Sequence, residues 1–320
     1  MSARTRFAGR RTLSTFLVAV TFLAAACGSD DATTDATATD DDSGGATAAT
    51  LTIGAIPDQE PERLQRTYDL LTDYLESELS VDVEYLPVTD YQGAVTGFRV
   101  GDLDAVWFGA LSGIQARLEV DGADAVAQRD IDEQFTSVFI AGADTGIETI
   151  GDVAGLAALS GRSFTFGSES STSSRLMPQA FLEQAGLDID ADFAGPPGFA
   201  GSHDAVIEVV ESGSFEVGVV AAQVWDDRLA EGAFDADRVV EIFRTPAYPN
   251  YHWVAQPTLD ERFGEGFADR FVAALMALDP SVAEHAEILE LFGADSFITT
   301  QNSNYDEMES VARSIGLITG

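Results

Sequence analysis

Five hydroxyl residues in a row, Ser170-Ser171-Thr172-Ser173-Ser174, stand between the triplet Phe164-Thr165-Phe166 and a stretch with helical spacing through Leu176, Ala180 and Phe181. The first amides of a helix have no intrahelical acceptor, and the helix dipole adds partial positive charge at the same end. Hydroxyls and amides gathered there can donate several hydrogen bonds to one small anion without a cationic side chain. The same residues also read as an N-cap followed by a Ser-rich loop, and composition leaves both readings open. Pro178, tolerated in a first helical turn, places the expected helix start close to the serine run.

Nucleophilic chemistry is the competing reading, with Ser171 or Ser168 as nucleophile and His203 as base in an exported serine hydrolase. The segment Gly167-Ser168-Glu169-Ser170-Ser171 lacks the second glycine of a nucleophile elbow, and no acid–histidine spacing suggests a triad, so no enzyme is expected. His203, His252 and His285 are scattered rather than set at ligand spacing, which argues against a metal, and no cofactor is expected. A receptor for an organic cation or amino acid is a further possibility. No acidic or aromatic cage flanks the serine run to favour it.

The elements that must position these residues alternate. Leu51 to Ile56 is a short apolar strand, and Leu64, Tyr68, Leu71, Leu75 and Leu79 then recur at helical spacing before Val81, Val83 and Tyr85 alternate as a strand. Tyr91 to Val100 reads as a helix closed by Gly101, followed by the strand Ala105 to Phe108 and a turn at Gly109. The order returns further on, where Phe164 to Phe166 leads through the serine run into a helix, His203 to Glu211 is a second helix, and Phe215 to Ala222 a strand. Strands separated by helices predict two α/β lobes with mostly parallel sheets, whose ligands sit beyond the carboxyl ends of the strands. The chain is expected to leave lobe 1 near Phe135 to Ala141 and return near Arg244 to Gln256, giving a two-segment hinge, lobe 1 as 51–137 and 247–320, and lobe 2 as 138–246.

Arg4, Arg6, Arg10 and Arg11 precede an apolar run from Leu17 to Ala26 that ends at Cys27, the pattern of an export signal over residues 1–27. Ala24 to Ala26 before the only cysteine resemble a bacterial lipobox, so Cys27 is the expected lipid attachment and the expected anchor to the membrane, although Leu23 lies one place further from it than usual. Residues 28–50 contain no large apolar side chain and read as a disordered acidic tether. Four of the 17 basic residues lie before Cys27, leaving 13 against 54 acidic ones and a net charge of about −41. Nucleic acid is excluded as a partner on that charge, and anion capture must rely on short-range hydrogen bonds.

From Leu51 onward the chain resembles the periplasmic phosphonate, phosphite and phosphate-binding proteins of ABC importers, which have the type II periplasmic-binding-protein fold. The resemblance rests on AIPD (55–58), PVTDY (87–91), VWFG (106–109), FGSESSTSS (166–174) and GSHDA (201–205), in that order and spacing. It implies a small tetrahedral oxyanion as ligand, an ABC permease as partner and an extracytoplasmic location. It also implies an anion cradle at Ser171, Thr172 and Ser173, a pocket histidine at His203, and covering aromatics at Tyr91 and Phe108, the last standing where the family often has a hydrogen-bonding tyrosine. Asp58 and Asp90 are the carboxylates to inspect, since a pocket carboxylate favours a protonated ligand over selenate, which can only accept. The stretches QVWD (223–226) and TPAYPNYHW (245–253) resemble a subgroup labelled selenate-binding, while Ala221 and Ala222, where an acid could hold a ligand amine, disfavour an aminoalkyl phosphonate.

Overall fold

A computed structural model of the chain describes residues 49–319; the expected signal, Cys27 and all but the last two positions of the expected tether lie outside the described residues. In chain order the elements are β1 (Leu51–Ala55), α1 (Pro61–Leu79), β2 (Val83–Tyr85), α2 (Tyr91–Val100), β3 (Ala105–Phe108), α3 (Ala110–Glu119) and β4 (Asp124–Arg129). There follow β5 (Ser137–Gly142), β6 (Phe164–Phe166), α4 (Met177–Gln184), β7 (Gly198–Phe199), α5 (His203–Glu211), β8 (Val217–Ala221), α6 (Ala222–Glu231) and β9 (Val239–Arg244). The chain ends with β10 (His252–Ala255), α7 (Leu259–Phe263), α8 (Phe267–Met276), α9 (Ala283–Phe292), β11 (Phe297–Thr299) and α10 (Asp306–Ser314).

Two sheets with flanking helices result, the first in the order β11-β4-β10-β3-β1-β2 and the second in the order β7-β6-β8-β5-β9. Strands such as β3 and β8 are buried along their whole length, as expected of strands covered on both faces. Helix α1 shows how burial selects the elements: Leu64, Tyr68, Leu71, Leu75 and Leu79 form its buried stripe, and Pro61 starts it where no intrahelical N–H is needed.

The sheets are mixed rather than mostly parallel. β1 pairs in parallel with β2 and β3, and β6 with β7 and β8, but β10 runs antiparallel to β3 and β4, β11 to β4, and β5 to β8 and β9. The reason is connectivity. A crossover helix returns a strand parallel to its predecessor, whereas β5 and β10 are delivered by the two crossings between sheets and enter from the opposite end. The crossings are themselves paired: Phe135 and Tyr248 exchange backbone hydrogen bonds of 3.0 and 2.9 Å.

The carboxyl ends of β1, β3, β6 and β8 and the amino ends of the reversed β5 and β10 consequently supply the loops and helix starts through Asp58, Gly109, Ser171, Ala221, Ser137 and Tyr251.

Candidate functional site

The helix that carries the serine run begins earlier than α4 and begins irregularly. Ser171 is its N-cap, its hydroxyl accepting from the Ser174 amide at 3.1 Å, and Thr172–Leu176 form a widened π turn that continues into α4. Pro178 therefore lies in the second turn rather than the first. Its missing N–H frees carbonyls one turn back, and these find other donors: the Ser137 hydroxyl reaches the Ser173 carbonyl at 2.5 Å, and the Gly167 amide reaches that of Ser174 at 3.3 Å. The Ser174 hydroxyl accepts from the Gly167 amide at 2.6 Å and donates to the Val219 carbonyl at 2.7 Å, so this serine ties the turn to β8.

Three helix starts meet here. The Leu111 amide, in the first turn of α3, donates to the Thr172 hydroxyl at 2.8 Å, and the His203 amide, first in α5, donates to the Asp58 carbonyl at 2.9 Å. Gly109 sits where α3 and the serine helix touch: a Cβ there would stand a tight 3.0 Å from the Thr172 hydroxyl oxygen and 3.4 Å from Oδ1 of Asn250. That Oδ1 accepts from the Ala110 amide at 3.3 Å, leaving Nδ2 of Asn250 buried without a partner.

Asp58, Tyr91, Ser171, His203 and Tyr251 form a buried polar chain. The Ala221 amide donates to Nδ1 of His203 at 3.3 Å, so the ring proton sits on Nε2, which faces the Tyr251 hydroxyl at 3.3 Å. The Tyr251 hydroxyl in turn donates to Oδ2 of Asp58 at 2.8 Å. The Tyr91 hydroxyl is held well above its ordinary value by burial and by the Asp58 charge, with Ser171 acting in the opposite direction. Burial pushes the Asp58 carboxyl up to about 6, against the Tyr251 hydrogen bond and the Arg129 charge, which pull it down. Burial likewise holds His203 down at about 4, leaving its ring neutral near pH 7. With both ring nitrogens engaged by Ala221 and Tyr251, His203 is not paired with a serine as a catalytic base would be.

Among the described residues, the arginines nearest the cradle, Arg129 and Arg175, are both turned onto other partners. The chain has no lysine. Arg129, almost fully buried, grips both carboxylate oxygens of Asp132 at 2.7 and 2.8 Å, donates to the Phe292 carbonyl at 2.6 Å and to Gln223, and lies 4.9 Å from the centre of the Tyr251 ring. Asp132 takes the Asn250 amide on its carbonyl and the Tyr251 amide on its carboxylate, at 3.0 and 3.2 Å. The ion pair thus fixes the segment that presents Tyr251. Arg175, one turn beyond Thr172, lies over the rings of Phe166 and Phe199.

Of the residues expected from sequence, Ser171, Thr172, His203, Tyr91 and Asp58 are brought together. Ser173 is buried beside them in the same turn. Phe108 is not in the group: strand alternation sends its ring against Phe98, 6.0 Å between centroids, while Trp107 stacks on Tyr251 at 5.8 Å. Trp107, not Phe108, is thus the side chain of β3 that meets Tyr251. Asp90 is exposed and caps α2, accepting from the Gly93 amide at 2.7 Å. Tyr251, Asn250, Arg129 and Asp132 were not anticipated; the Pro-flanked aromatic segment before β10 was the only trace of the first two. A cavity of about 20 Å³, room for about one water, lies beside Asp58, Tyr68, Trp107, Ala221 and Tyr251.

Comparisons with known proteins agree with this architecture. Residues 53–305 match the family model described as "ABC transporter, phosphonate, periplasmic substrate-binding protein". A probable ABC transporter phosphite-binding protein of Prochlorococcus marinus is 43% identical over 268 residues, covering 84% of this chain and 90% of that protein. The solved structure of a Prochlorococcus marinus protein in complex with methylphosphonate, also 43% identical, superposes with a TM-score of 0.82 over 84% of this chain and 99% of the other. A binding component of a Pseudomonas aeruginosa phosphonate ABC transporter shares the fold at 17% identity, with a TM-score of 0.71 over 82% of this chain and 85% of that one.

Proposed function

Because the chain belongs to the periplasmic substrate-binding family of phosphonate ABC transporters, we propose that it captures phosphite or a short phosphonate such as methylphosphonate, with phosphate as the nearest competitor. The observation that carries this reading is the meeting of three helix starts and the Ser171, Thr172 and Tyr91 hydroxyls in one buried place where the nearby Arg129 guanidinium is already committed. Such a site stabilises a small oxyanion through neutral donors, which act at short range and are not cancelled by the strongly acidic surface.

In this reading the anion lies in a cleft between lobe 1 (51–137 and 247–320) and lobe 2 (138–246), with the serine helix from lobe 2 and Asp58, Tyr91 and Tyr251 from lobe 1. Hinge closure presents the liganded form to the permease. Cys27 carries a lipid and residues 28–50 act as a tether, which keeps the receptor beside its membrane partner. Ala221 and Ala222 offer no carboxylate to hold a ligand amine, which favours a simple oxyanion over an aminoalkyl phosphonate. A selenate receptor and a serine hydrolase are less well supported, the first by the chemistry of Asp58 and the second by the engagement of both His203 nitrogens.

Titration of tryptophan fluorescence tests the proposal, since Trp107 stacks on Tyr251. Phosphite and methylphosphonate are expected to give saturable changes at lower concentration than sulfate or selenate. Tighter binding of selenate than of either phosphorus anion would sink it.

A further inference from the structure

The site brings a buried carboxylate, Asp58, beside the serine run, while the two nearest arginines are turned elsewhere, Arg129 onto Asp132 and Arg175 onto the rings of Phe166 and Phe199, an odd pairing for an anion receptor. Asp58 receives the Tyr251 hydroxyl on Oδ2. Its other near charges and titratable groups are Tyr68 on α1, Tyr85 on β2, Tyr91 on α2, Arg129 on β4, and Asp204 on α5. Arg129 is neutralised by Asp132, Asp204 by Arg228 at 2.6 Å, and His203 is neutral. The four tyrosines are all held above their ordinary value, burial being the main cause, and stay as donors.

Resting on the oxyanion reading above, we propose that Asp58 makes binding proton-coupled: the bound species is a monoprotonated oxyanion whose P–OH donates to the Asp58 carboxylate. The remaining anion oxygens accept from the Tyr91 and Ser171 hydroxyls and the first amides of the serine helix. A fully deprotonated dianion beside a buried carboxylate would place like charges together with nothing to compensate them, so it must take one proton from solvent as it binds. No covalent bond other than that O–H changes, and the proton remains shared between ligand oxygen and Asp58. Sulfate and selenate carry no proton near neutrality, so they can make this contact only if Asp58 itself is protonated, and at pH 8 they leave two acceptors facing one another. The raised Asp58 value, about 6, fits a site built to hold a proton. Asp58 is therefore the residue that sets the protonation state of the ligand.

The test is calorimetry of phosphite and methylphosphonate binding at pH 8 in several buffers of differing ionisation enthalpy, on the wild-type protein and on Asp58→Asn. The wild type is expected to take up close to one proton per anion and to lose about tenfold in affinity per pH unit above the second ionisation of the ligand. Asp58→Asn still accepts the Tyr251 hydroxyl and gains an N–H, so proton uptake is expected to vanish and sulfate and selenate to bind at least tenfold tighter than they do to the wild type. Binding to the wild type with no proton uptake overturns the proposal alone, whether or not the variant folds. Failure of the wild type to bind either phosphorus anion between pH 6 and 8 overturns the oxyanion reading, and this proposal with it.

Discussion

The Tyr251 hydroxyl donates to the Asp58 carboxylate at 2.8 Å and faces Nε2 of His203 at 3.3 Å, so one phenol joins residues from three distant parts of the chain. Tyr251→Phe removes that link while keeping the ring stacked on Trp107. Loss of a hydrogen bond to a buried charged partner costs on the order of 2 kcal/mol. The Asp58 carboxyl, which this bond pulls down, is expected to titrate above its present value of about 6. Chemical denaturation and carbon NMR of the carboxyl measure the two effects; an Asp58 titration that stays put would show that the phenol does not govern it.

Gly109 and Thr172 are expected to be energetically coupled. Gly109 has an ordinary extended backbone at φ −75°, so Ala is disfavoured there only by its neighbours, the Thr172 hydroxyl at 3.0 Å and Asn250 at 3.4 Å. Gly109→Ala should destabilise by about 1–3 kcal/mol, as overpacking does. Thr172→Ala strands the Leu111 amide, also at about 1–3 kcal/mol, and weakens anion binding. In the double variant the alanine methyl meets no hydroxyl, so the summed loss should exceed the observed one by at least 0.5 kcal/mol. Strict additivity by urea denaturation would refute the contact.

What the sequence disclosed was what is local. The serine run announced itself because cap, hydroxyls and helix start are consecutive, and the α1 stripe because its period is 3.6. Tyr251 was hidden because its partner Asp58 is 193 positions away, and only the return crossing brings them together. Phe108 was assigned by family position, but the pleat of β3 makes Trp107 the side chain that meets Tyr251. Pro178 was read as marking the first turn, since the rescue of the Ser173 and Ser174 carbonyls by Ser137 and Gly167 is tertiary. Antiparallel β5 and β10 follow from which strands the crossings deliver, which no periodicity encodes.

His203 is expected to make the fold acid-sensitive. Its folded value, about 4, lies below the ordinary 6.5, burial being the cause, so the unfolded chain binds the extra proton between those limits. The stability this confers is complete above pH 6.5 and is lost as pH falls toward 4, amounting to about 3 kcal/mol at 1.36 kcal/mol per unit. His252, held at about 3 by burial and the Arg117 charge, acts in the same direction. Asp58 opposes them, its raised value favouring the folded state at low pH and losing that contribution as pH rises through 6. His203→Asn keeps an acceptor for the Ala221 amide but cannot titrate. Its unfolding free energy should fall less steeply than the wild type's between pH 6.5 and 4, by close to one proton; parallel curves would show that the ring is not buried neutral.

Arg63 on α1 reaches α6, meeting Glu231 at 2.8 Å and Asp227 at 3.7 Å. Its partners are about half exposed, so screening keeps the stability contribution within about 1 kcal/mol. Under the proposed hinge closure, the effect on closure should be larger than that on folding, because these ion pairs break whenever α1 and α6 separate. Arg63→Gln is expected to raise the dissociation rate of methylphosphonate several-fold with little change in association rate. Added salt should raise the wild-type rate toward that of the variant, since the pair lies within reach of the ionic atmosphere. Stopped-flow tryptophan fluorescence at low and high salt measures both, and equal dissociation rates for the two proteins at low salt would remove Arg63 from any part in holding the closed form.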